Sequence, residues 1–236
     1  MNLLRTAEPD VEIAAITFDL DDTLWPVRPV IQAAEQSLHE WFRNHAPAVA
    51  ERFTVADLAR LRAEVGERRP DIAHDLSALR HASLEEAARQ AGVDPAIASE
   101  AFQVFFAARN RVQFYPEVPR VLPQLARRHP LAALTNGNAC LQRTGAGRWL
   151  SFAISAIDAG APKPDTRMFQ AAADRLGLPP ERILHVGDDP EHDLLGARRA
   201  GFQAVLVDRH GSLATEEVNQ PVLRTLDELP GLLANR

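Results

Sequence analysis

The stretch Ile16-Thr17-Phe18-Asp19-Leu20-Asp21-Asp22-Thr23-Leu24-Trp25 decides the fold. It extends an apolar run, Ile13-Ala14-Ala15-Ile16, through Phe18 and Leu20. A short apolar run bounded by a polar cluster is the pattern of a strand buried on both faces. Asp19, Asp21 and Asp22 close it. Side chains alternate along an extended chain, so Asp19 and Asp21 project to the same side. Two such charges about 4 Å apart repel by ~4 kcal/mol at an effective dielectric near 20. A cation offsets that cost most simply. The alternative at this point is a solvated acidic turn or an N-cap for the next helix.

Outward from this stretch, the 236 residues are 46% hydrophobic and 25% charged, which suits one large domain or one domain with an insertion. A net charge of -6 disfavours nucleic acid as a partner, because phosphate-backbone binding needs a basic stripe. The arginine pairs Arg68-Arg69, Arg127-Arg128 and Arg198-Arg199 read as helix surfaces or ends. Cys140 is the single cysteine, so no internal disulfide forms and a cytoplasmic setting is expected. The segment Met1 to Val11 carries Arg5, Glu8, Pro9 and Asp10 around no apolar centre, unlike a signal peptide. No apolar run approaches the length of a bilayer span, so no membrane partner is expected.

After Pro29 the period changes. Val30, Ile31, Ala34, Leu38, Trp41 and Phe42 have helical spacing. Thr54 is a candidate N-cap for a second helix. Asp71 to Ala91 reads as one or two helices, with Ser83-Leu84-Glu85-Glu86 resembling a capping box and Gly92 a stop. A further helix follows Asp94-Pro95. Residues 28–114 thus read as an inserted all-helical module between residues 1–27 and 115–236. From Pro116 strands and helices alternate: a helix to His129, strands at Leu131–Leu134, Phe152–Ile157, Ile183–Val186 and Ala204–Val207, and helices at Asp165–Leu176, Glu191–Ala200 and Leu223–Leu233. This alternation implies an α/β fold, a Rossmann-like doubly wound, mostly parallel sheet covered on both faces.

Ligands of such sheets sit outside the carboxyl ends of the strands. The strand ends and the loops after them carry Asp19 and Asp21, Thr135 and Asn136, Lys163, and Asp188 and Asp189. Clustered carboxylates suit a hard cation, Mg²⁺ being the usual one. Thr135, Asn136, backbone N–H groups and Lys163 supply donors and positive charge for a phosphate. A carboxylate can be the nucleophile of phosphoryl transfer, and a second carboxyl can move the proton of the leaving oxygen.

Asp19-Leu20-Asp21-Asp22-Thr23-Leu24, Thr135-Asn136-Gly137, Lys163-Pro164-Asp165 and Gly187-Asp188-Asp189 through Asp193 resemble the four ordered motifs of the haloacid dehalogenase-like (HAD) hydrolase superfamily. The helical insertion resembles its class I cap. The resemblance implies Asp19 as nucleophile and metal ligand. It implies Asp21 as general acid/base and, through its backbone carbonyl, a metal ligand. It further implies Thr135 and Asn136 as phosphoryl-binding residues, Lys163 as the neutralising charge, Asp188 as a metal ligand, and Asp193 and Asp189 as supporting acids. Asp22 reads as a turn residue.

Family dehalogenases use the first Asp but lack an acid two residues on, because a halide leaves without a proton. Asp21 therefore points to an Mg²⁺-dependent phosphatase of a small phosphate ester, working through an aspartyl-phosphate. The alternatives are a phosphomutase, a 2-haloacid dehalogenase, a receiver-like signalling module and a catalytically idle binding protein. Ile13-Ala14-Ala15-Ile16-Thr17-Phe18, Arg28-Pro29-Val30-Ile31, Asp71-Ile72-Ala73-His74-Asp75 and Leu134-Thr135-Asn136-Gly137-Asn138-Ala139 resemble the bacterial branch acting on FMN and 5-amino-6-(5-phospho-D-ribitylamino)uracil. A sugar or nucleotide phosphatase is the alternative substrate class. Arg28, His74, Arg80 and His81 are the polar candidates in the insertion, and Trp25 and Pro26 are expected to shape the pocket mouth.

Overall fold

In the computed structural model, which describes residues 11–211 and 222–234, Ala15–Phe18 forms β1 with every residue buried. Leu131–Thr135 (β2), Ala153–Ser155 (β3), Ile183–Gly187 (β4), Gln203–Val207 (β5) and Val222–Leu223 (β6) follow. Among the described residues they make one sheet of order β3-β2-β1-β4-β5-β6, parallel at every pairing. β2 and β4 are buried throughout, which is why they read as largely apolar runs, with His185 the polar exception inside β4. The order runs one way from β1 to β3 and the other way from β4 to β6. The switch point therefore lies between β1 and β4, where an open α/β sheet leaves a crevice. Phe18 pairs with Val186, so Asp19 and Gly187 leave the sheet side by side.

The chain forms two compact units. The unit with the sheet is left after Trp25, re-entered at Gln113, left again after Gly137 and re-entered at Gly145. Pro26–Val112 and Asn138–Thr144 form the other. The boundaries expected from the sequence are 27/28 and 114/115; the two main crossings lie at 25/26 and 112/113. The return of 138–144 to the helical unit has no sequence signal: Asn110 Oδ1 accepts from the Cys140 N–H at 2.7 Å, and Asn138 Nδ2 donates to Ser77 at 3.2 Å.

In the helical unit, α1 (Val27–His45) turns Val30, Ala34, Leu38 and Phe42 inward at every fourth position. α2 (Pro47–Arg52) is a short helix absent from the sequence reading. α3 (Val55–Arg68) starts at Thr54, whose hydroxyl accepts from Asp57 N while Asp57 accepts from Thr54 N, a capping box. The expected start at Ser83 is overturned. α4 (Leu76–Gln90) is continuous because Asp75 caps it, accepting from Ser77 N and Ala78 N. Ser83 lies inside, its hydroxyl bonded to the Arg80 carbonyl. With α5 (Ala98–Arg109), these helices bury Leu38, Phe42, Val49, Leu61, Leu84 and Phe105 in one core. Each such side chain contributes roughly 1.5–3 kcal/mol.

In the sheet unit, α6 (Val118–Ala126), α8 (Ala156–Ala159), α9 (Thr166–Leu176), α10 (Gly196–Arg199) and α11 (Leu229–Ala234) connect or flank the strands, while α7 (Leu141–Thr144) lies in the returning segment. α9 is capped by Asp165 and closed by Gly177 at φ 66°, and it buries Met168, Phe169, Ala172 and Ala173. Leu223 is not helical: Val222 pairs with Leu206, and helical backbone resumes at Leu226, where Thr225 caps it. The N-terminal residues 1–10, which carry nearly all of the segment read as unlike a signal peptide, lie outside the described residues. Among those described, no helix is long and apolar enough to cross a membrane.

A partly buried charge group sits within the helices. Glu35 on α1 meets Arg62 at 3.1 Å and Arg80 at 3.5 Å, and the Arg80 guanidinium lies 3.4 Å over the Phe105 ring. Arg80 is 8% exposed, so it is an internal tie of this unit rather than a surface group. Removing one partner of such a pair strands the other charge. Glu35→Ala is expected to lower stability by about 3 kcal/mol, and Glu35→Gln by less, in urea unfolding followed by circular dichroism.

Candidate active site

The network starts one residue pair below the sheet edge. Thr17 on β1 and His185 on β4 are register partners, and Thr17 Oγ1 lies 2.9 Å from His185 Nδ1. Two residues on, the same face carries Asp19 and Gly187. Asp193 lies over Gly187, where an added Cβ would fall 2.2 Å from its Cγ. Asp193 Oδ1 is 3.1 Å from His185 Nε2 and accepts from Lys163 Nζ at 2.5 Å. Since a carboxylate only accepts, His185 Nε2 carries the proton and Nδ1 accepts from the Thr17 hydroxyl. Asp193 Oδ2 accepts the backbone N–H groups of Asp188 and Asp189 at 3.1 and 3.0 Å. Both oxygens of Asp193 are thus engaged.

This seating depends on local backbone. Residues 190–195 form a π-helical turn in place of the expected α-helix, with Asp193 N and Leu194 N both bonded to the Asp189 carbonyl. Asp189 caps the turn, accepting from Glu191 N and His192 N at 2.8 and 2.7 Å and pairing with the His192 ring at 3.0 Å. Asp189 is a helix cap and Asp193 an internal hub.

Lys163 Nζ also donates to Asp19 Oδ1 at 2.7 Å. The ammonium is 2% exposed and shared between two acids. Its loop is fixed by Asn136: Oδ1 accepts from Lys163 N at 2.7 Å, and Nδ2 donates to the Lys163 carbonyl at 3.0 Å. Asn136 therefore grips the lysine's backbone. Thr135 Oγ1 accepts from Gly137 N at 2.9 Å, which leaves its own proton to donate elsewhere.

Asp188 accepts from the Thr23 hydroxyl at 2.9 Å. Asp21 Oδ1 accepts from the Trp25 indole N–H at 2.8 Å. Trp25 is wholly buried, so it does not shape a pocket mouth. Between them Asp22 takes a left-handed conformation, φ 57°, which an Asp tolerates better than most residues.

Oxygens of Asp19, Asp188 and Asp193 lie within 4.8 Å of one another. Burial drives the Asp19 carboxyl well above its usual range; Lys163 opposes this, and Asp193 and Asp188 add to it. Asp188 is pushed up to about 6, by burial first and then by Asp193. Burial also works against a charged Lys163, but Asp19 and Asp193 outweigh it and hold the ammonium above its ordinary value. Burial likewise opposes a charged Asp193, and Lys163 and His185 prevail to hold it well below the carboxylate range. Lys163 and Asp193 are therefore a charged pair. Asp19 and Asp188 are left as two acids whose charge is only partly compensated. An all-oxygen donor set of this kind fits a hard divalent cation.

The sequence-derived residues Asp19, Lys163, Asp188 and Asp193 meet in this network, with Asn136 behind the lysine loop. Asp189 is directed away into its cap. His185 and Thr17 escaped the sequence reading. Their signal was a polar residue in an otherwise apolar buried strand, which marks a partnered group without naming its partner. Gly187→Ala is expected to displace Asp193, lowering turnover at least ~100-fold and stability by about 2 kcal/mol through overpacking. Steady-state kinetics and denaturant unfolding on the same preparation measure both.

Comparison with known proteins identifies the family. The family model for haloacid dehalogenase-like hydrolases matches residues 13–201. A 5-amino-6-(5-phospho-D-ribitylamino)uracil phosphatase of Escherichia coli K12, YigB, is 40% identical over 205 residues, covering 85% of this chain and 86% of that protein. A phosphoserine phosphatase of Thermus thermophilus is 42% identical over 132 residues, 53% of each chain. A solved structure named as a 2-haloacid dehalogenase, from Pseudomonas syringae, superposes with a TM-score of 0.88 at 36% identity, covering 94% of this chain and 99% of that one. With the parallel sheet, the strand-end acids and the family match in agreement, the chain belongs to the haloacid dehalogenase-like hydrolases and is a hydrolytic enzyme.

Proposed function

We propose that this hydrolase is a phosphomonoesterase that passes the phosphoryl group of a small ester first to Asp19 and then to water. The observation that carries this reading is the pairing of Asp19 with Lys163 at 2.7 Å, with the acid Asp21 two residues further on. Asp19 attacks phosphorus and the ester P–O bond breaks. Asp21 gives a proton to the departing oxygen, then takes one from the water that attacks the aspartyl-phosphate. That water's oxygen ends in inorganic phosphate, and Asp19 is regenerated. Lys163 balances charge on Asp19 and the phosphoryl oxygens. The Thr135 hydroxyl donates to a phosphoryl oxygen. Asn136 acts through Lys163, whose backbone it fixes.

Asp19, Asp188 and the Asp21 backbone carbonyl would hold Mg²⁺, which supplies compensation for phosphoryl charge. Asp193 is kept out of this set by its four existing partners. Asp189 supports the site as the cap of the turn that carries Asp193.

The name of the Escherichia coli relative favours 5-amino-6-(5-phospho-D-ribitylamino)uracil, a riboflavin-pathway phosphate, as substrate, and the single cysteine favours a cytoplasmic setting. The phosphoserine phosphatase relative keeps other small esters open. Residues of the inserted helices, 28–114, are assigned the choice among them, as a cap. The Pseudomonas structure favours a second reading, dehalogenation at the same Asp19. Asp21 weighs against it, because a halide leaves without a proton.

The test is phosphate release from FMN, 5-amino-6-(5-phospho-D-ribitylamino)uracil, sugar phosphates and phosphoserine with Mg²⁺, beside halide release from 2-chloropropionate. Phosphate release that falls at least ~1,000-fold in Asp19→Asn, with the fold retained, is expected for loss of a nucleophile. Halide release alone overturns the reading in favour of the dehalogenase. A second outcome concerns pH. A proton on Asp188 must leave before a cation binds, so Mg²⁺ affinity is expected to fall as pH drops through about 6. Titration calorimetry at pH 5.5 should show proton release, and at pH 8 little. Affinity independent of pH over this range contradicts the assignment.

A further inference from the structure

We infer that Trp25 is a positioning residue for the proton transfer, acting through Asp21. The inference rests on the role given to Asp21 in the phosphatase reading. The indole N–H is a donor and nothing else. At 2.8 Å it commits Asp21 Oδ1 to accepting, so a proton carried by Asp21 sits on Oδ2. One hydrogen bond thus selects which oxygen serves the leaving group and fixes the rotation of the carboxyl plane.

The ring is placed to hold that geometry. Trp25 is 0% exposed and packs edge-on against Phe114 at 5.5 Å, which packs edge-on against Trp149 at 5.2 Å. The backbone is tied on both sides: Trp25 O accepts from Asp22 N at 2.7 Å, and Leu24 O accepts from Tyr115 N at 3.0 Å. The turn from Asp21 to Trp25 is short enough that the side chain bonds back to the acid four residues earlier. Core packing alone asks for a large apolar ring at position 25. It does not ask for an N–H aimed at a carboxylate.

The leaving group separates positioning from packing. An aryl phosphate such as p-nitrophenyl phosphate departs without a proton, whereas glycerol phosphate, an alkyl ester, needs one. Trp25→Phe keeps an aromatic ring and removes the donor. Its kcat/KM is expected to fall on the order of 10- to 100-fold for the alkyl ester and less than about 3-fold for the aryl ester. Half-saturating Mg²⁺ should be unchanged.

If Trp25→Phe folds poorly, 3-benzothienylalanine at position 25, isosteric with Trp but lacking the N–H, reads the same difference. Equal losses on both esters, or no loss on either, overturn the inference and make Trp25 a core residue only. In Asp21→Ala the alkyl-selective loss should already be present, and Trp25→Phe should add nothing to it. An Asp21→Ala enzyme that retains full alkyl activity overturns the role of Asp21 itself, an outcome distinct from failure of the Trp25 variant alone.

Discussion

One ammonium holds the site together. Lys163 is buried where its charge costs most, and it stays charged because Asp19 and Asp193 both reach it. The two acids have different functions in consequence. Asp193 spends both oxygens on fixed donors and is part of the scaffold. Asp19 keeps one contact to the lysine and lies against Asp188, so its charge remains only partly answered. A lysine suits this position because a compact charge with three donors can divide itself between two carboxylates. Asn136 then matters without touching either acid, since the ammonium is only as well placed as the backbone that carries it.

Much of this was legible in the sequence, for a physical reason. Parallel strands buried on both faces are mostly apolar, so the polar cluster that follows each run marks its carboxyl end. Asp19, Thr135 and Asp188 announce themselves in that way. The unreadable parts depend on register or on backbone form. His185 and Thr17 meet because β1 and β4 align residue for residue, and no local pattern encodes that pairing. Asp193 carries a supporting role by resemblance, but the hub it forms depends on a π turn that presents it to Gly187, which no local pattern encodes.

Other misreadings share a cause. Val222–Leu223 is a strand only because β5 lies beside it, and the capping-box pattern at Ser83 yields to the stronger cap at Asp75. Arg80 is a polar candidate of the insertion by sequence, yet Glu35 and the Phe105 ring enclose it. Trp25, expected from the sequence at the pocket mouth, is wholly buried. The short turn through Asp22 brings it back against Asp21 instead.

Leu24 and Tyr115 are hydrogen-bonded neighbours although some ninety residues separate them along the chain. To the sheet unit, the whole helical insertion is therefore a loop whose ends are already joined. Closure entropy grows only with the logarithm of loop length, about 0.6 kcal/mol per doubling. Helices could be lengthened, shortened or exchanged wholesale between those two points at little thermodynamic expense to the strands. Such an architecture lets the strand-end network stay as it is while the inserted helices vary.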